Sequence, residues 1–531
     1  MRHFISAIVL AAIVLCGCSK SPETLPQDVP GLVKLLGSDD AAMRQKALGA
    51  LATLPPERFE DIEGYAAMNL PAPAGPALDA LVKRLRPIMP ARQRLRQKSD
   101  DQIRAYTNST LDQYGQFGIH SDKWDNTARE FIQTIASSPS SEHDRIERAD
   151  KLIQNAADLR KAGCSDPFIL YLIAKIDGDN VKNDEERKGA INEFQSAISA
   201  LEQSNYPVMR KCYAHARYLE FALKGKLNGI FPNWKDDLEP DLALALKEWP
   251  IALRDPALSN WLAFELAQSL SFDIMKMSWD GKAYGDRGQV YTDLVPAWQT
   301  ARPDDVGPLL FTGSLYIDYA WDARGGDYAA KVTANGWQLM QDRLKVARTA
   351  LEKAYAMDPQ DPRAATLMIN VVLGQQTGRE DMDLWFNRAM TANPDNFAAC
   401  QGKLTFLEPK WNGSPDDMIA FGRQCRDGGN FEGRIPFVLT EAYYRLSAYY
   451  QKPTDLYHSP GVWDDIRSVY EPELALYPDS IYDRSYFAYY AFMCGQMSTA
   501  RDQFKILGDH PLLEPFGTRQ QYDDMVKQAG Q

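Results

Sequence analysis

Two proline turns spaced one helical hairpin apart constrain this chain more than any other feature of its 531 residues. Asp358-Pro359 and Asn393-Pro394 lie 35 residues apart, each after an apolar helix end, Ala354-Tyr355-Ala356-Met357 and Arg388-Ala389-Met390. In each unit the turn leads into a helix (362–373; 396–407), a glycine-bearing turn follows (Thr377-Gly378; Asn412-Gly413), and a second helix packs back. Proline cannot continue a helix, and glycine admits the backbone reversal after one. A lone hairpin leaves apolar surface uncovered, so such units are stable only when stacked. The expected fold class is all-α, a helical-repeat solenoid with a concave groove.

The period, close to about 34 residues, resembles that of tetratricopeptide repeats. A third copy follows Tyr477-Pro478-Asp479, where Tyr486, Tyr490, Gly495, Ala500 and Phe504 are spaced much like that consensus. The resemblance covers roughly 340–510, with 512–529 as a terminal cap. At the other end, Leu32, Leu35 and Leu36 mark one apolar face, Ser38-Asp39-Asp40 caps a second helix bearing Met43, Ala47, Leu48 and Leu51, and Pro55-Pro56 stops it. This hairpin resembles one HEAT repeat. Between the two ends, 144–162, 184–204 and 207–224 have helical periodicity. Gly163 and Asp166-Pro167 punctuate them, and Asn228-Gly229 and Pro232-Asn233 suggest a boundary. The expected organisation is 1–17 signal, 18–28 tether, 29–228 helical hairpins, 229–338 a Trp-rich helical region, and 339–531 repeats and cap.

Met1-Arg2-His3 precedes an apolar run from Phe4 to Leu15, which has the length of a secretory signal and is too short to span a bilayer. Leu15-Cys16-Gly17-Cys18 then resembles the lipobox of bacterial lipoproteins. The resemblance implies cleavage before Cys18, acylation of Cys18, and a membrane partner reached through lipid. Ser19 and Lys20, with no Asp after the cysteine, resemble the sorting pattern for the outer membrane. The expected location is the bacterial cell envelope, facing periplasm or surface. Five thiols would then lie in an oxidising compartment: Cys164, Cys212, Cys400, Cys425 and Cys494. In a hairpin centred near Trp411, Cys400 and Cys425 face one another within a helical turn, which predicts a disulfide.

The formal charge of -12 becomes -13 without residues 1–17, an acidic balance that argues against nucleic acid as a partner. No GxSxG, GxGxxG or Walker motif occurs, so no catalytic residue and no cofactor is assigned. No metal site is assigned either: Cys212-x-x-His215 is a single pair on one helix, and 177–188 has Lys182 and Lys188 where a calcium loop needs Gly and Glu. The carboxylate pairs Asp304-Asp305, Asp416-Asp417 and Asp464-Asp465 sit where helices should begin, where acids favour the N-terminus.

The stretch 261–337 holds five of the 11 Trp, a glycine-rich loop from Trp279 to Gly288, and Ala320-Trp321-Asp322-Ala323-Arg324-Gly325-Gly326. Aromatic faces beside Arg and Asp suit a sugar or a peptide, and Trp279, Tyr284, Trp321, Arg324 and Trp337 are the candidate ligand-binding residues. The alternative is that the tryptophans fill the core at helix junctions. The Ala-Trp-x-Ala-Arg-Gly string, with Trp337 and the repeats through Trp411, resembles a bacterial family classed as a domain of unknown function, which implies tetratricopeptide-like helices over 255–430. The expected function is a lipid-anchored, non-enzymatic scaffold binding a protein or peptide. The alternatives are a carbohydrate-binding surface lipoprotein or a helical-toroid glycosidase, or an assembly factor for other lipoproteins.

Overall fold

A computed structural model describes residues 25–68, 70–137, 142–224, 234–277 and 286–530. Among them are 25 α-helices, a few short 3-10 turns and no strand, so the chain is all-α. None of these helices is long and apolar enough to cross a membrane.

The repeat punctuation operates as read. Helix Ala334–Met357 ends at Asp358, helices Pro362–Gln375 and Arg379–Ala392 form one hairpin, and Phe397–Phe406 and Pro415–Asp427 form the next. The two first helices start on equivalent caps 35 residues apart. Asp361 accepts from the Arg363 N–H and Asn396 from the Ala399 N–H, each at 3.0 Å, which satisfies donors that a helix start leaves open. Asn396 Nδ2 also donates to Thr366 Oγ1 at 2.7 Å, tying one hairpin to the one before. The third copy comprises Ile481–Met493 and Met497–Leu507, joined through Gly495 at φ +72°. The N-terminal hairpin is Val29–Leu36 and Ala41–Ala52, with Leu32, Leu36, Ala47 and Leu51 buried and the Asp40 carboxylate accepting from Ala42 and Met43 N–H.

Two compact units emerge. One comprises the described residues up to 87 with 470–489 and those from 500 onward; the other comprises 88–469 with 490–499. Within the second, packing is serial. Gly307–Arg324 packs on Ala334–Met357, that helix on Pro362–Gln375, and Pro362–Gln375 on both Arg379–Ala392 and Phe397–Phe406, the packing scheme of a helical-repeat solenoid. The expected boundaries at 228/229 and 338/339 both lie inside this unit. Val208–Lys224 packs on Trp234–Ala252 across the first, and Gly307–Arg324 on Ala334–Met357 across the second.

The 29-residue helix Met89–Phe117 had no apolar stripe to announce it. Its C-terminal half places Tyr114 in the core with Tyr106, Leu111 and Phe117 against it, and much of the rest is held by polar contacts. Arg92 pairs with Asp395 at 2.7 Å and donates to Asn430 Oδ1 at 2.9 Å, Arg94 donates to the Ala392 carbonyl, and Arg210 reaches back to Thr110 and Gln113.

Helix Pro415–Asp427 approaches Val438–Ser447 so closely that a Cβ on Gly422 would stand 2.7 Å from Leu439 Cα. Gly422→Ala is expected to cost about 1–3 kcal/mol by forcing two backbones apart. An unchanged denaturation midpoint would contradict that close approach.

Candidate functional site

The structure brings three of the sequence-selected residues together and adds a fourth. Helix Gly307–Arg324 ends at Gly325, whose φ of +75° lets its N–H cap the Trp321 carbonyl at 3.0 Å. Trp321 and Arg324, three residues apart, share one helical face. The Thr333 hydroxyl accepts from the Gly336 N–H and opens helix Ala334–Met357, which sets Trp337 in its first turn. Trp411 arrives from the turn after Phe397–Phe406, a turn closed by the Trp411 N–H to the Glu408 carbonyl and the Asn412 N–H to the Phe406 carbonyl. The Arg324 guanidinium carbon lies 5.7, 5.5 and 6.0 Å from the ring centres of Trp321, Trp337 and Trp411, and Trp321 meets Trp411 edge to face at 5.9 Å. All four side chains are half-buried.

An arginine amid three indoles is stabilised by cation–π attraction, but its hydrogen bonding is incomplete. Nη1 donates to the Gly325 and Asp327 carbonyls at 3.1 and 3.0 Å. Arg324 Nε, Trp411 Nε1 and Asn412 Nδ2 are buried with no hydrogen-bond partner among the described residues. A buried donor left unmet costs about 1–3 kcal/mol, so three in one cluster need an explanation. On the same turn, Tyr449 donates to Glu408 Oε2 at 3.3 Å. Tyr444, Tyr449 and Tyr450 are 61%, 48% and 43% exposed. The surface beside the cluster is therefore aromatic, a composition enriched where proteins meet partners.

Trp411 escaped selection as a ligand residue because its partners are 74 and more residues away in sequence. The usable signal was positional: Trp321, Trp337 and Trp411 all sit at helix ends. Cys18, Trp279 and Tyr284 lie outside the described residues. Trp298, from the same Trp-rich stretch, is core, fully buried against Trp249 with Nε1 donating to Asp305 at 2.9 Å. A nearby cavity of about 210 Å³ is lined by Arg379, Asp383, Lys403, Phe406, Asp417 and Phe421. Its charges already pair, Arg379 with Asp417 and Lys403 with Asp383, so it lacks the unmet donors of the Arg324 cluster.

The carboxylate pairs do structural work. Asp305 accepts from the Gly307 N–H, Asp417 from the Ser414 hydroxyl and Arg379, and Asp465 from Arg423, Arg426 and Tyr443. The Arg379 guanidinium, then the Ser414 hydroxyl, hold the Asp417 carboxyl down at about 2. A depressed carboxyl contributes stability above its unfolded value of about 3.9 and loses it as pH falls through the folded one. Arg379→Ala is therefore expected to flatten the loss of stability between about pH 4 and pH 2. An acid-unfolding profile identical to that of the wild type would contradict this.

Cys400 and Cys425, expected as a disulfide, are both buried free thiols, and Cys400 Sγ lies 3.9 Å from Met390 Sδ. Cys494 is likewise a buried free thiol.

No family model matches the chain, and no curated protein matches it. Among solved structures it is similar to a circular tandem repeat protein described as having a novel repeat topology and enhanced subunit contact surfaces. That similarity covers 92% of this chain and 100% of the other at 12% identity, with a TM-score of 0.14, and at that level it carries no argument about function.

Proposed function

We propose that the chain is a lipid-anchored protein of the bacterial envelope whose helical-repeat body binds a protein or peptide at the surface around Arg324 and Trp411. The anchoring rests on Leu15-Cys16-Gly17-Cys18; the resemblance to the family classed as a domain of unknown function adds repeat architecture alone. The observation that carries the binding reading is the set of three unmet N–H donors among half-buried indoles. These donors are closed off in the free chain, so a peptide meets them with main-chain carbonyls or a carboxylate only as the indoles part to take its apolar side chains. Pull-down from detergent-solubilised envelope should recover a specific partner with the wild-type chain and lose it with Arg324→Ala. Metabolic labelling with a fatty acid should mark the wild type and not Cys18→Ala. Recovery of the same proteins by wild type and Arg324→Ala would contradict the site, and an unlabelled wild type would contradict the anchor.

The indole faces favour a second reading, since sugars stack on such rings and their hydroxyls also accept. Glycan-array binding that is lost on Trp411→Ala, with no protein recovered, would select carbohydrate instead.

A further inference from the structure

Away from the tryptophan cluster, the second unit holds a buried histidine among carboxylates from the two helices that flank its own. Glu202 ends helix Asp184–Glu202, His215 lies within Val208–Lys224, and Asp241 and Glu248 stand two turns apart on Trp234–Ala252. His215 is 3% exposed and Glu248 7%. One ring nitrogen, Nδ1, is 2.7 Å from Asp241 Oδ1, and the other, Nε2, is 3.2 Å from Glu202 Oε1. Glu248 Oε2 is buried with no hydrogen-bond partner among the described residues. One ligand atom from each of Glu202, His215 and Glu248 lies within 4.8 Å of the other two.

This arrangement poses a problem of donors and acceptors. A carboxylate accepts only, so Nδ1 must donate its proton to Asp241. In the neutral ring Nε2 then presents a lone pair toward the Glu202 oxygen, with the unpartnered Glu248 beside them. Against the cost of burial, the Asp241 hydrogen bond and the charges of Asp241, Glu202 and Glu248 favour a second proton on the ring, which then donates to Glu202 but leaves Glu248 unmet; a cation in place of that proton meets all three groups. The Asp241–His215 contact is also the arrangement by which a carboxylate fixes the tautomer and orientation of a metal-bound imidazole.

From this the geometry points to a binding site for a single zinc-class divalent cation, with His215 Nε2, Glu202 and Glu248 as ligands and Asp241 as the positioning residue behind the histidine. One nitrogen and two oxygens, with water in a fourth position, form a donor set that zinc accepts, whereas calcium and magnesium prefer oxygen alone. Tetrahedral ligands at about 2.1 Å from zinc stand roughly 3.4 Å apart, so the separations between the three atoms close by up to about 1.4 Å. Glu202, whose side chain is 26% exposed, provides the approach from solvent. Cys212, one turn before His215, is outside the set because its thiol donates to the Ala245 carbonyl at 3.4 Å.

The test is titration of the full chain in detergent with zinc alone, read by calorimetry and by metal analysis after dialysis. One zinc per chain is expected. Asp241→Asn should weaken binding about 10–100-fold, Glu202→Gln and His215→Gln should weaken it at least as much, and Cys212→Ser should leave it unchanged. Circular dichroism establishes that each variant is folded. If His215→Gln does not fold, the cobalt-loaded wild type decides, because nitrogen and oxygen ligation gives no thiolate charge-transfer band. Failure of the folded wild type to take up zinc, undiminished binding in Glu202→Gln, or a thiolate band would each overturn the site.

Discussion

The full chain carrying Asp465→Ala is expected to lose about 3–5 kcal/mol of stability, the cost of removing one partner from a buried ion pair. Asp465 is 5% exposed and collects charge from three directions. Arg423 lies at 2.9 Å, Arg426 at 3.0 Å, and the Tyr443 hydroxyl donates at 2.6 Å. These groups come from helices Pro415–Asp427 and Val438–Ser447, while Asp465 belongs to Val462–Leu476, so one carboxylate joins three helices. Burial, then the hydrogen bond to Asp465, holds the Tyr443 phenol well above its ordinary range and keeps it a donor. Alanine strands that donor and leaves two guanidinium groups facing a site without an anion. The neighbouring Asp464 has a side chain 73% exposed and makes only a surface pair with Arg467 at 3.3 Å. Asp464→Ala should stay within about 0.5 kcal/mol of the wild type. Denaturant titration at constant slope measures both, and equal effects at the two positions would contradict the assignment.

Oxidation of the Cys400–Cys425 pair is expected to raise stability by about 3–4 kcal/mol, because a cross-link closing a loop of this length removes that much entropy from the unfolded chain. The two thiols are buried on consecutive helices, Phe397–Phe406 and Pro415–Asp427, that pack on one another, and export as proposed would place them in an oxidising compartment that accepts the electrons. If the chain is exported as proposed, mass spectrometry of the mature protein without reductant should find neither thiol open to alkylation. The denaturation midpoint should fall when reductant is added, and Cys400→Ser should abolish that difference. Two freely alkylated thiols in the exported, unfolded chain would contradict the bridge.

The C-terminal repeats were legible because their determinants are local. Asp361 and Asn396 cap equivalent helices 35 residues apart, and each cap acts within three residues. Helix ends followed from the same punctuation, so the periodicity over 184–204 became Asp184–Glu202. Met89–Phe117 stayed hidden because its N-terminal half is tied to distant polar partners such as Asp395 and Asn430, which no helical period reveals, and only its C-terminal half enters the core through Tyr114. The tryptophan cluster divides along the same line. Trp321 and Arg324 are one turn apart and Trp337 is nearby, whereas Trp411 joins them only through tertiary packing. The His215 cluster defeats local reading entirely. The nearest sequence pair, Cys212 and His215, is the wrong one, and the true neighbours Glu202, Asp241 and Glu248 come from both flanking helices.

The surface beside Arg324 and Trp411 is the one proposed to receive a protein partner. Site-specific photocrosslinking in intact cells tests it, with the photoreactive residue placed at Tyr449, which is 48% exposed on the turn beside Trp411, and at Ile153, 51% exposed on helix Glu142–Lys161. The account predicts a discrete crosslinked partner from position 449 that disappears in Arg324→Ala and is not seen from position 153. A partner captured equally from both positions, or undiminished in Arg324→Ala, would contradict it.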